Sequence, residues 1–264
     1  MDVWDPETLN SEIHDTLAMH SDLILDYFAE DQRLMDEHLK SDPYESLKSN
    51  KHNADFSSLL EHTVSPLFLK RRIRVWHYTR LLDDEVSTMR EKLKLSTLTL
   101  LSQRLDRLRR MRLLTEQEAQ IVYDQSPFHK QESARSGRIY ATTVPLSRHD
   151  PGVKDLLASW GGESAYSWLS DNAIAAKLRN IGKPRTVEIE TTLSDRLDAH
   201  SATETAVRAW AKKLGLSIEV TGSDHAIVRD LDMAQVLRVH TEGDGLFDAI
   251  STTYPTGCGQ LLAK

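Results

Sequence analysis

The sequence predicts an α+β fold, with an N-terminal helical element over residues 1–65 and a mixed α/β domain over residues 66–264. Three observations point there. Leu17, Ile24, Leu25, Phe28, Leu34, Met35 and Leu39 recur at three- and four-residue intervals and mark helix over residues 7–41. The pattern turns to alternation at Ile73 and Val75, and again over Thr186–Thr191. Strand-like segments are scattered among helices and concentrate late in the chain, as in α+β domains.

Each element has its own local signal. Ser41-Asp42-Pro43 stops the first helix, because proline disfavours the helical conformation of the residue before it. Residues 43–55 are polar and read as a loop or linker, with a short helix near Phe56–Glu61. A strand carrying Ile73, Val75 and Tyr78 follows, and Asp83 is read as the N-cap of a helix running to about Leu93. A second helix, from Ser96 or Thr97 to Met111, sets Leu98, Leu101, Leu105 and Leu108 on one face. Thr115-Glu116-Gln117-Glu118 is a capping box for a third, ending before Pro127.

Ser133–Gly137 reads as a turn and Arg138–Val144 as a strand ended by Pro145. Asp150-Pro151 opens a helix with proline at its first position, where the missing N–H costs nothing. That helix is expected to run to Trp160, where Gly161-Gly162 break it. A helix over Asn172–Asn180 leads to the Thr186–Thr191 strand. A helix over 203–214 ends at Gly215, and strands are expected near 216–220, 225–229 and 235–240.

Composition narrows the class. In 264 residues, 39% are hydrophobic and 28% charged, the profile of a globular protein able to bury a core. The formal charge of −7 argues against a dedicated nucleic-acid binder. Arg104, Arg107, Arg109, Arg110 and Arg112 crowd one helix, either as a solvated face or as a docking surface for an acidic partner. Cys258 is the only cysteine, so an internal disulfide and a cysteine-based metal site are excluded. No metal-ligand spacing is seen among the histidines, and no metal is expected. Neither a secretory signal nor an apolar run of ~18 residues is present, which predicts a cytoplasmic protein without membrane contact.

Three clusters could carry chemistry. In Trp76-His77-Tyr78-Thr79-Arg80, a strand places His77 and Thr79 on one face and Tyr78 on the other. A neutral imidazole can serve a ribose hydroxyl, and a threonine hydroxyl beside it adds a contact; His77 could equally be a buried, hydrogen-bonded strand histidine. In Trp160-Gly161-Gly162-Glu163-Ser164-Ala165-Tyr166, two glycines allow close backbone approach beside a carboxylate. Glu163 could stabilise positive charge growing on a sugar carbon, or simply cap the next helix. Tyr140 with Thr142 and Thr143 forms the third, an aromatic that could stack on a nicotinamide or pack in the core.

Taken in order, His77-Tyr78-Thr79, the Gly137-Arg138-Ile139-Tyr140 strand and a later glutamate resemble the ADP-ribosyltransferase superfamily. The closer resemblance is to its His-Tyr-Glu branch, which includes diphtheria-toxin-like and DarT-like enzymes. Trp76–Glu85, Gly137–Thr143 and Leu156–Tyr166 also resemble segments of an uncharacterised bacterial protein family. The resemblance spans roughly residues 66–195 and implies a split, mostly antiparallel sheet with NAD as substrate. It further implies cleavage of the nicotinamide–ribose bond and a role as bacterial toxin, effector or phage-defence component. By this resemblance Glu163 would be catalytic, and His77, Tyr78, Thr79, Arg80, Tyr140, Thr142 and Tyr166 would bind NAD. Glu188-Ile189-Glu190 matches the E-x-E of the arginine-modifying branch and is the alternative carboxylate site, although its alternation fits the exposed face of an amphipathic strand. The acceptor, protein or nucleic acid, is left open. A homo-oligomer through the N-terminal helices and a non-catalytic nucleotide-binding or interaction module of the same fold are further expectations.

Overall fold

The computed structural model describes residues 1–40, 44, 48–69, 71–193, 196–228, 231–232 and 235–252. The expected Ser41-Asp42-Pro43 stop and Cys258 lie outside them. The chain forms two compact units, Met1–Arg74 with Thr191–Ser223, and Val75–Glu190 with Asp224–Lys264. The helical unit is therefore discontinuous in sequence, where the expectation was a single cut near residue 65.

In chain order the first helices are α1 (Ser11–Met19), α2 (Ser21–Lys40), α3 (Asn53–Ser58) and α4 (Ser65–Phe68), with a π-helical turn at Leu59–Val64 between the last two. Strand β1 (Arg72–Leu81) precedes α5 (Asp83–Glu91), β2 (Lys92–Leu93), α6 (Leu98–Arg110), α7 (Glu116–Asp124) and α8 (Glu132–Arg135). Then come β3 (Ile139–Thr142), α9 (Pro151–Ala158), α10 (Glu163–Tyr166), α11 (Asn172–Arg179) and β4 (Lys183–Thr192). The last are α12 (Arg196–Lys213), β5 (Asp224–Ile227), β6 (Leu231–Asp232), β7 (Val236–Thr241) and α13 (Gly245–Thr252). The mixture is α+β, as the sequence patterning predicts.

In the first unit most of the apolar stripe finds its cover within the same unit, whereas Met35 and Leu39, expected in the stripe, are exposed. Leu17, Ile24, Phe28 and Leu34 are buried, and α12 packs against α2, α4 and the π-turn. Alanines on α12, among them Ala199, Ala202 and Ala206, let it approach closely, while Trp210 closes the contact and donates its Nε1–H to Ser21 Oγ at 3.0 Å. This explains why α12 starts seven residues before the expected 203: its buried face is written in alanine rather than bulky residues. The helix expected over 7–41 is two, broken at His20, whose backbone leaves the helical region. Tyr27 stacks on Phe56 with centroids 3.7 Å apart, and Arg74 Nε donates to the buried Asp2 carboxylate at 2.7 Å.

The second unit is organised by a five-stranded sheet of order β5-β3-β1-β4-β7. β1 pairs antiparallel with β3, β3 with β5, and β4 with β7, while β2 and β6 form a separate two-stranded ladder. Between β1 and β3 the chain inserts α5–α8. Leu101, Leu105 and Leu108 of α6 enter a core with Val122, Phe128, Trp160 and Leu178. The Thr115 capping box and the Asp150 N-cap form as the sequence indicates.

Other details differ. Asp83 is the first helical residue of α5, not its cap; Glu85 reaches back to accept the Leu82 N–H at 2.9 Å. Residues 132–135 make a helical turn where a plain turn is expected, and α9 stops at Ala158, two residues before Trp160. The described residues 216–220 contain no strand. Glu188, expected on an exposed strand face, is 0% exposed, because β4 is covered on both faces inside the sheet; its carboxylate meets His240 Nε2 at 2.6 Å. Glu190 is half-buried.

Candidate functional site

Strand β1 turns alternate side chains to opposite surroundings, and the His-Tyr-Thr triplet is divided accordingly. His77, Thr79 and Leu81 line a cavity of about 270 Å³ closed on its other side by α5, β2 and α6. Tyr78 points away: its hydroxyl accepts from the Leu146 N–H at 2.6 Å and donates to the Leu146 carbonyl at 3.3 Å. Tyr78 is thus a buried peg fastening the 144–147 segment.

The protonation of His77 follows from geometry. Its Nδ1 lies 2.8 Å from the carbonyl oxygen of Tyr140, which can only accept, so Nδ1 carries the proton. Burial lowers the imidazole pKa, with the Arg104 charge acting in the same sense and the Tyr140 bond opposing it. The ring is therefore neutral, and its Nε2 offers a lone pair. That lone pair suits a hydroxyl donor. Thr79 is 6% exposed, and its hydroxyl has no partner among the described residues.

The opposite wall is ordered by a buried ion pair. Glu85 Oε1 accepts from Arg104 Nε at 2.8 Å, and its Oε2 accepts from the Trp160 indole at 2.9 Å and from the Leu82 N–H. The Arg104 guanidinium also stacks 4.5 Å from the Trp160 ring centroid. Burial works to raise the Glu85 pKa, but Arg104 and the three donated hydrogen bonds together hold it below the ordinary carboxylate value. Arg107 pairs with Asp84. Exposed Lys92, Lys94 and Arg110 stand around the cavity, and buried Leu81, Met89, Leu93 and Ile139 supply its apolar lining.

The remaining sequence-predicted residues do not line this cavity. Arg80 is spent on backbone, its Nε donating to Ile181 O at 2.9 Å. Thr142 Oγ1 donates to Val144 O at 2.7 Å. Tyr140 is 47% exposed and donates its hydroxyl to Ala134 O at 2.5 Å. Glu163, at the start of α10, is held by Arg135 Nη1 at 2.5 Å with its side chain half exposed. Neighbouring Tyr166 has its phenol pushed up to about 12, first by burial and then by the Glu163 charge. The two groups are joined through β3: the main chain of Tyr140 holds His77, and its hydroxyl bonds the residue before Arg135.

The residues missed by sequence reading are Glu85 and Arg104. In the sequence Asp83 marks the helix start and Glu85 is one acidic residue of its first turn, while Arg104 belongs to a basic row that suits a solvated face or a docking surface. Their meeting requires α5 and α6 to pack side by side, which no local pattern announces. A wider depression of about 810 Å³ at the α6–α7 turn is open, and its Arg109–Asp106 and Lys177–Glu118 pairs satisfy much of its charge. Among the described residues, no group of three or more His, Cys, Asp or Glu side chains is placed to hold a metal ion, and no helix is long and apolar enough to cross a membrane. Comparisons of the chain with protein families, with curated proteins and with solved structures gave no match.

Proposed function

We propose that the sheet-containing unit is an NAD-dependent ADP-ribosyltransferase-like enzyme that cleaves the nicotinamide–ribose bond and passes ADP-ribose to a macromolecular acceptor, as a bacterial toxin, effector or phage-defence component. One observation supports this reading most. His77 and Thr79 reach one cavity from one strand face, with the His77 proton committed to Tyr140 so that Nε2 is left to accept a ribose hydroxyl. The apolar lining suits a ring, and the surrounding cations suit phosphates. Glu163 is the carboxylate proposed to stabilise the positive charge that develops on the ribose as nicotinamide leaves. The test is nicotinamide release from NAD by the purified chain, with thermal stabilisation by NAD as the binding readout. Stabilisation with release supports the enzyme; the absence of both overturns it.

A second reading, a nucleotide-binding module without turnover, is favoured by the placement of carboxylates. Among the described residues the one carboxylate lining the cavity, Glu85, is engaged by Arg104, Trp160 and Leu82, and Glu163 lies outside the lining in an ion pair with Arg135. NAD binding without nicotinamide release selects it.

A further inference from the structure

We infer that the cavity beside β1 carries a phosphate subsite supplied by this chain's own α5–α6 insertion, and that it takes nucleoside diphosphates whether or not nicotinamide is attached. The inference rests on the reading of the cavity as a nucleotide site. Among the described residues five cationic side chains, Lys92, Lys94, Arg104, Arg107 and Arg110, line it against one carboxylate, Glu85. Glu85 is consumed by Arg104, and Arg107 is answered by Asp84. Lys94 and Arg110 have no partner among the described residues, so each brings to the cavity a charge that no described side chain answers. A chain of formal charge −7 that gathers such an excess around one cavity creates a local field opposite to its average, which draws anions.

Charge alone would describe any basic patch; the hydroxyl of Thr79, a residue 6% exposed that lines the cavity, is the independent feature. It has no partner among the described residues, and it can donate to a phosphate oxygen while His77 Nε2, an acceptor, can only repel one. The phosphate is therefore placed toward Thr79 and the cations, and the sugar hydroxyl toward His77. The buried apolar lining favours an organic phosphate over a free one, since inorganic phosphate would leave it uncovered.

Calorimetric titration of the full chain with ADP, with inorganic pyrophosphate and with adenosine separates the contributions. ADP is expected to bind more tightly than either of the other two, with affinity falling as salt is raised. Lys94→Ala and Arg110→Ala, both at exposed positions, are each expected to weaken ADP about tenfold while leaving adenosine unchanged. Thr79→Val, which keeps the shape and removes the hydroxyl, is expected to do the same. Equal ADP affinity in all three variants and wild type, or no ADP binding, overturns the subsite. Pyrophosphate binding as tight as ADP overturns the organic-phosphate assignment. ADP binding that responds to these variants without nicotinamide release from NAD upholds the subsite and removes only the transferase reading.

Discussion

His77 Nδ1 and the Tyr140 carbonyl oxygen lie 2.8 Å apart across the β1–β3 ladder, so one strand fixes the tautomer that the neighbouring strand presents to the cavity. Because burial lowers the pKa of this imidazole in the folded chain, the unfolded chain binds the proton more readily. The resulting stability is fully present above the unfolded value of about 6.5 and is lost as pH falls through the folded value. Histidine proton shifts followed by NMR should show one ring titrating below about pH 6.5 and absent in His77→Gln. That variant should also flatten the fall of the melting temperature on acidification. A ring that titrates at or above the ordinary value contradicts the neutral-acceptor assignment.

Glu85 and Trp160 provide a second expectation. Trp160→Phe keeps an aromatic ring in the core, though a smaller one, and removes the indole donor, leaving Glu85 Oε2 one bond short in a buried site. Such a loss costs about 1–3 kcal/mol. Glu85→Ala removes the partner of Arg104 altogether and should cost more, on the order of 3–5 kcal/mol, because the guanidinium keeps its burial and loses its counter-charge. Urea unfolding midpoints rank the two variants. The reverse order would show that the ring contact, rather than the ion pair, holds α5 and α6 together.

Backbone geometry makes a third prediction at Gly182. Its φ is +70°, and a Cβ there would meet the Leu81 carbonyl carbon and oxygen at 2.5 Å. Left-handed backbone costs an L-residue about 1–2 kcal/mol before any clash is counted, and backbone atoms cannot swing aside as a side chain does. Gly182→Ala should therefore destabilise more than Gly215→Ala, where φ is +103° and no atom lies within 4 Å of the added methyl group. Denaturation midpoints compare them directly; equal losses would mean that the 181–183 turn shifts away from β1.

What the sequence shows well is whatever depends on neighbours in the chain. The Thr115 capping box, the Asp150-Pro151 helix start and the leucine face of α6 are written within a few residues, and each appears in the fold. The division of His77 and Thr79 from Tyr78 follows from strand periodicity alone. What depends on partners far along the chain was not legible. Glu188 reads as a solvent-facing strand residue until β7 brings His240 against it, and α12 conceals a buried face made of alanines. Arg104 and Arg110 look equivalent in a basic row, yet one is locked between Glu85 and Trp160 while the other is exposed without a partner among the described residues.

The proposed chemistry is tested most sharply at Glu163, since the geometry gives it a definite competitor. Glu163→Gln keeps size and one acceptor but removes the charge that would stabilise an oxocarbenium-like transition state. Loss of such a contact typically lowers the rate on the order of a hundred- to a thousandfold. Its present partner is Arg135, so Arg135→Gln should free the carboxylate rather than remove it, and nicotinamide release should fall far less or rise. Glu188→Gln/Glu190→Gln serves as the contrast: Glu188 is buried against His240, so this double variant should lower the melting temperature, and its release rate must be read where it is fully folded. NAD binding should survive in Glu163→Gln, because His77, Thr79 and the cations that would hold the ground state are untouched. Undiminished release in Glu163→Gln together with loss in the folded double variant would move the catalytic carboxylate to β4, and would give the buried Glu188–His240 pair a chemical role instead of a structural one.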